Sequence, residues 1–199
     1  MSYTEIYKFG KDGNCVFLSE TQNSHRGAMA VWRHLEKKYL PPYVPSYLAS
    51  LPESLRQARE GWDYTRFSSS TDDELKPFWN LVNEDRVSMN DKIVLTSTYD
   101  NIVVMREDIP TLLEAYRAFD GESSLKEQAD IIENFLMCDE DLIAIAWNQT
   151  SVNSSPWETW KRNAEEPTPY NLFKTKGKKH DVMWCRVPKK ERVIRKPKD

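Results

Sequence analysis

Trp147, Asn148, Gln149, Thr150, Ser151, Asn153 and Trp157 gather in residues 142–157, a stretch without a charge in a chain of which 30% is charged. Amides, hydroxyls and indole rings recognise partners by hydrogen bonding and stacking. The first half, Leu142-Ile-Ala-Ile-Ala-Trp147, reads as a buried strand. The polar half is therefore delivered from the end of a scaffold element, where many folds carry a functional surface. Trp147, Asn148, Gln149, Thr150, Asn153 and Trp157 are candidate contacts to a base, a nucleotide or a polar loop of another protein. The competing structural reading is that the amides tie down an irregular loop and the tryptophans fill the core.

Arg26 is the second candidate. Ser24-His-Arg-Gly27 stands before a helical pattern, and the first-turn amides and positive dipole end of a helix favour an anion. Gly27 would allow close approach and Arg26 would add a bidentate fork. The plain alternative is an ordinary cap with a packing glycine.

Other chemistries are less well served. The six glycines never form G-x-G-x-x-G or G-x-x-x-x-G-K, the phosphate-cradling patterns. C-x-x-C and H-E-x-x-H are both missing, and the histidines stand at 25, 34 and 180, so neither a metal nor a cofactor is expected. Asp139-Glu-Asp141 reads as a solvated turn more than a magnesium site. Cys15 with His25 or His34 is a conceivable nucleophile pair, but a cysteine opening an apolar strand segment reads as core. No catalytic residue is assigned.

The net charge of −3 is unevenly placed: residues 174–199 carry a net of +8 and residues 1–173 a net of −11. Lys176, Lys178, Lys179, Lys189, Lys190, Arg192 and Arg195 are candidate nucleic-acid contacts. The alternative is a solvated terminus, or one that folds over its own acidic body. The acidic body favours a partner with a basic surface.

A chain of 199 residues with seven Trp, nine Tyr and seven Phe has the means to bury a sizeable core. The organisation expected is a single α+β domain over 1–173 and a basic C-terminal strand or tail over 174–199. The opening Met-Ser-Tyr-Thr-Glu lacks the pattern of a signal peptide. No apolar run reaches the ~18–20 residues that span a bilayer, so no membrane partner is expected. Cys15, Cys138 and Cys185 are odd in number and far apart, which fits a reducing cytoplasm.

The elements that would position these residues follow from periodicity and turn chemistry. Residues 3–20 read as a hairpin turning at Lys11-Asp-Gly-Asn14. Ser24 or Asn23 is expected to cap a helix to about Leu40, where Pro41-Pro42 stops it. Ser50-Leu-Pro-Glu53 resembles a capping box, with Gly61 as the stop. Leu75, Phe78, Trp79 and Val82 mark a short helix, for which Thr71 and Glu74 offer a cap while Pro77 argues for a start nearer Lys76. Ile93–Thr98 and Ile102–Met105 read as a second hairpin around Tyr99-Asp-Asn101. Asp108 caps a helix ending at Gly121, and Ser124-Leu-Lys-Glu127 opens another. Leu142–Trp147 and Asp181–Val187 are further strands. The sum is an α+β fold, with a mainly antiparallel sheet from two hairpins plus one or two further strands and about five helices packed on it. Hairpin followed by helix occurs at 3–40 and at 92–119, a pattern common enough without duplication.

Thr4-Glu-Ile-Tyr-Lys-Phe-Gly-Lys-Asp-Gly-Asn14, Arg26-Gly-Ala-Met-Ala-Val-Trp32 and Lys38-Tyr-Leu-Pro-Pro-Tyr43 resemble an uncharacterised family of small phage and prophage proteins of Gram-positive bacteria. Ser124-Leu-Lys-Glu-Gln-Ala-Asp130 and Trp147-Asn-Gln-Thr-Ser-Val-Asn153 fit the same resemblance, which covers most of residues 1–155. It implies a cytoplasmic accessory protein and brings no activity or catalytic residue. The functional expectation is a non-enzymatic macromolecule-binding domain with a protein partner. The alternatives are nucleic-acid binding through the tail, and a small enzyme or nucleotide-binding domain.

Overall fold

The computed structural model describes residues 3–67, 71–149, 155–159, 165–174, 180–183 and 185. Its main sheet begins with the expected hairpin. Strands β1 (Tyr3–Phe9) and β2 (Cys15–Gln22) run antiparallel. Gly13 holds φ at +80° in the turn between them, a conformation open to glycine at no steric cost. Strand β4 (Ala144–Gln149) pairs antiparallel with the other side of β1, from Thr4 opposite Gln149 to Phe9 opposite Ala144. Strand β3 (Ile102–Met105) pairs antiparallel with β4, and β7 (Asp181–Met183) pairs parallel with β3. The order is β2-β1-β4-β3-β7, and a separate two-stranded sheet joins β5 (Glu158–Thr159) to β6 (Thr168–Pro169). The fold is α+β with a mainly antiparallel sheet.

The period-two alternation of the strands gives the main sheet two distinct faces. Ile6, Val104, Ile145 and Trp147 point to the face that the helices cover. There they meet Val31 and Leu35 of α1 (Ala28–Tyr39), Val94 and Leu95 of α4 (Met89–Ser97), Leu112 and Tyr116 of α5 (Ile109–Ala118) and Ile132 of α6 (Leu125–Cys138). Each fully buried side chain of this size contributes about 1.5–3 kcal/mol of transfer free energy. Tyr7, Phe9, Cys15, Val103, Ala144 and Ala146 point the other way, onto Trp157 and Tyr170. No helix covers this second face among the described residues.

Several local expectations are corrected. Ile93–Thr98 forms no strand, because the segment belongs to helix α4. Its residues from Asp91 to Ser97 are all buried, so no polar face marks the helical period, and Ile-Val-Leu reads equally well as a strand. Side chains fix the helix instead. Ser88 Oγ accepts from the Asp91 amide at 3.1 Å, and Thr96 and Ser97 hydroxyls donate back to the Lys92 and Val94 carbonyls. The second hairpin, and with it the repeat of hairpin and helix, does not exist. The turn residue Asn101 does take a left-handed φ of +61°.

Neither Asn23 nor Ser24 caps α1. Ser24 and His25 take φ of +34° and +71°, and the helix starts after Gly27. Its C-terminal stop at Leu40 is as expected. The Ser50–Glu53 capping box does not form, because Ser50 Oγ donates to the Tyr47 carbonyl and Glu53 pairs with Arg56. Helix α2 (Glu53–Gln57) is accordingly short, and Gly61 lies beyond its end. Helix α3 (Asp72–Trp79) keeps the Thr71–Glu74 capping box and carries Pro77 inside it, so it does not start near Lys76. Asp108 and Ser124 precede α5 and α6 without side-chain caps.

Candidate functional site

The sequence-derived candidates divide between the two faces of the sheet. Arg26 and Trp147 line one cavity on the helical side, together with Gly27, Ser97, Ser124 and Gln128. The N-termini of α1 and α6 meet there, joined by a bond from the Ser124 amide to the Arg26 carbonyl at 2.9 Å. The cavity measures about 20 Å³, which is room for a water and not for a nucleotide or phosphate. Trp147 Nε1 is buried and meets no acceptor among the described residues, a state that a water in this cavity would relieve.

The anion reading of Arg26 is not supported by its surroundings. Its guanidinium reaches Glu127 at 3.4 Å and the Gln22 carbonyl at 3.5 Å. Gly27 is a packing glycine: a Cβ there would stand 2.7 Å from Asn23 Cγ.

Asn148 does not join Arg26 and Trp147. As the next residue along β4 it faces the opposite side, where its Nδ2 donates to Glu5 Oε2 at 2.8 Å. Tyr7 donates its hydroxyl to the same oxygen at 2.8 Å. Gln149 pairs through its backbone with Thr4. Trp157 lies fully buried under the second face and donates Nε1–H to the Trp147 carbonyl at 2.7 Å. Thr150, Asn153, Lys176, Lys178, Lys179, Lys189, Lys190, Arg192 and Arg195 lie outside the described residues.

The larger concavity is on this second face. A groove of about 350 Å³ is lined by Tyr7, Cys15, Phe17, Trp157, Glu158, Pro167 and Pro169. Its volume lies in the range of ligand sites. Trp157, at its floor, packs edge-to-face with Phe9 and Tyr170 behind it, the three ring centres 5.5–6.3 Å apart. Phe17 stands on the rim, 49% exposed and edge-on to Tyr7 at 5.8 Å.

Cys15 and Tyr7 of the groove are poor nucleophiles. Burial, and then the charge of Glu158, push the Cys15 thiol well above its ordinary value. Burial likewise pushes the Tyr7 hydroxyl up. His34 belongs to α1, on the far side of the sheet from Cys15, and bonds Asp120 at 2.8 Å. The Cys15–His34 pair is therefore not assembled. Asp139 is engaged by Lys8 at 2.5 Å and Asp141 by the Lys11 amide at 3.2 Å.

Sequence reasoning missed Tyr7, Phe17, Glu158, Pro167 and Pro169. One signal was legible. Cys15-Val-Phe-Leu18 is apolar at consecutive positions, whereas a strand with one solvated face needs apolar residues only at alternate ones. Val16 and Phe17 are in fact both about half exposed. No helix among the described residues is long and apolar enough to cross a membrane. No family model, curated protein or solved structure matches the chain.

Proposed function

We propose that this chain is a non-enzymatic accessory protein, of phage or prophage origin, whose second sheet face binds a segment of another protein carrying basic residues. The observation that carries this reading is the groove floored by the buried rings of Tyr7 and Trp157 and rimmed by the half-exposed Phe17, beside the acidic Glu158. Aromatic residues in a concave, partly dehydrated site are the usual anchors of protein association. The acidic balance of residues 1–173 supports a basic partner, because complementary charge raises the encounter rate and excludes acidic competitors. Three cysteines, odd in number and widely spaced at 15, 138 and 185, support action in a reducing compartment. The phage or prophage origin rests on the resemblance of residues 4–14, 26–32 and 38–43.

The test is a photo-crosslinking residue placed at Phe17 of the full chain inside bacterial cells, with Met137 as the comparison position. Met137 is 70% exposed on α6, on the helical side. The proposal expects a discrete protein adduct from position 17 that position 137 does not give. Adducts of equal yield and identity from both positions, or none from position 17, would contradict it.

A further inference from the structure

The groove has the form of a place where one strand stops. Residues 170–172 run along the outer side of β2: the Cys15 amide donates to the Tyr170 carbonyl at 2.9 Å and the Leu172 amide to the Gly13 carbonyl at 2.8 Å. Upstream of Tyr170 the chain leaves β2, and Thr168–Pro169 pairs instead with Glu158–Thr159. The gap so opened, between Phe17 on one side and Pro167 and Pro169 on the other, is the groove.

Phe17 keeps open backbone groups in this gap. Outward and inward groups alternate along an antiparallel strand. Cys15, opposite Phe9, turns its amide outward to Tyr170, and the register stays regular as far as Phe17, opposite Tyr7, shifting only beyond that pair, so Phe17 turns its N–H and C=O outward as well. No backbone partner meets them among the described residues. The facing prolines have no N–H of their own with which to fill the gap.

Charge at the gap is one-sided. Glu5 stands directly opposite Glu20 across β1 and β2, a like-charge pair of the kind that destabilises a sheet until a cation comes between. Both lie on the Tyr7 face, and Glu158 lines the groove. Among the described residues no ion pair neutralises any of the three.

Resting on the binding reading above, we infer that the partner segment is extended and basic, and that it adds to the sheet as a further strand beside Phe17. Its main chain pairs with the Phe17 N–H and C=O. Its apolar side chains lie over Tyr7, Phe17 and Trp157, and its Lys or Arg side chains reach Glu5, Glu20 and Glu158. Strand addition draws affinity from main-chain hydrogen bonds and specificity from alternate side chains. Arginine suits the positions between an aromatic rim and a carboxylate, since it stacks and pairs at once.

The test pans the full chain against a display library of random linear peptides, then measures the enriched peptides as synthetic ligands. Enriched sequences should carry apolar residues and Lys or Arg two positions apart, so that both kinds share the strand face turned to Tyr7 and the glutamates. N-methylation of single peptide amides should weaken binding at least about tenfold at every second position and little at those between. Glu20→Gln with Glu158→Gln should weaken binding and flatten its salt dependence. N-methylation without an alternating effect overturns strand addition, and enrichment of acidic or uncharged peptides overturns the basic class. Enrichment of sequences matching residues 186–199 of this chain would make its own end the occupant and overturn the partner. Peptides that bind Phe17→Ser, a change at an exposed side chain, as tightly as wild type would remove the groove itself, and the function proposed from it.

Discussion

Trp157 donates its indole N–H to the carbonyl oxygen of Trp147 at 2.7 Å, in the buried layer beneath the second sheet face. The two tryptophans that bound the polar part of the uncharged stretch are thus tied to each other. Trp157 closes the floor of the groove, while Trp147 sends its own ring through to the helical side.

Trp157→Phe should therefore destabilise the protein. The change leaves the Trp147 carbonyl without its donor in a dry environment and shrinks a ring that is 1% exposed. The expected cost is about 2–4 kcal/mol, combining an unmet buried acceptor with lost packing. Urea unfolding measures it, and a change within error would contradict the structural role given to this pair.

Gly13→Ala and Gly61→Ala separate backbone strain from collision. Both glycines hold a left-handed φ, near +80°, which costs an L-residue about 1–2 kcal/mol. At Gly13 a Cβ would also stand 2.5 Å from Phe173 Cδ2, whereas at Gly61 nothing lies within 4 Å. Gly13→Ala should lower the melting temperature clearly more than Gly61→Ala.

Arg66 and Glu36 form a buried ion pair at 2.7 Å, and the Arg66 amide also donates to the same Glu36 oxygen. Glu36 Oε2 has no partner among the described residues. Arg66→Leu strands a buried carboxylate and should cost about 3–5 kcal/mol. Adding Glu36→Leu should recover much of that loss, because the apolar pair has no charge to desolvate. A double variant no more stable than the single one would show that the pair is not what holds residues 64–67 against α1.

These contacts show what could be read before the structure and what could not. The first hairpin was legible because Gly13 and the flanking alternation are local signals, and α5 and α6 because each has one clear apolar stripe. Helix α4 was not, since it is buried all round and held by hydroxyl bonds that only the packed chain brings together. Arg26 and Trp147 were legible only as separate candidates; packing brings them to one cavity, which is closed down to the size of a water. Trp157 was named, yet its groove depends on Phe17, 140 residues away in the sequence, and on Pro167 and Pro169, which stand off β2 before residues 170–172 run along it.

Acid should weaken the fold through Asp139. The hydrogen bond from Lys8 holds its carboxyl below the usual carboxylate range, with the Asp141 amide assisting. A depressed folded-state value means that the bridge stabilises the protein at and above the unfolded-state value, about pH 4. That contribution is lost as pH falls through the lower folded-state value. Melting temperatures followed from pH 6 downward should fall more steeply for wild type than for Asp139→Asn in this acidic window, while the two curves run parallel above it. Parallel curves throughout would show that the bridge is not coupled to folding.

The most direct test is amide and indole chemical-shift mapping on the full chain, titrated with an enriched peptide that carries Lys and apolar residues two positions apart. The account predicts that the largest shifts fall on Tyr7, Phe17, Glu20, Trp157 and Glu158, with the Arg26–Ser124–Gln128 cavity unmoved. Shifts centred on that cavity, or spread over the helical side, would contradict it.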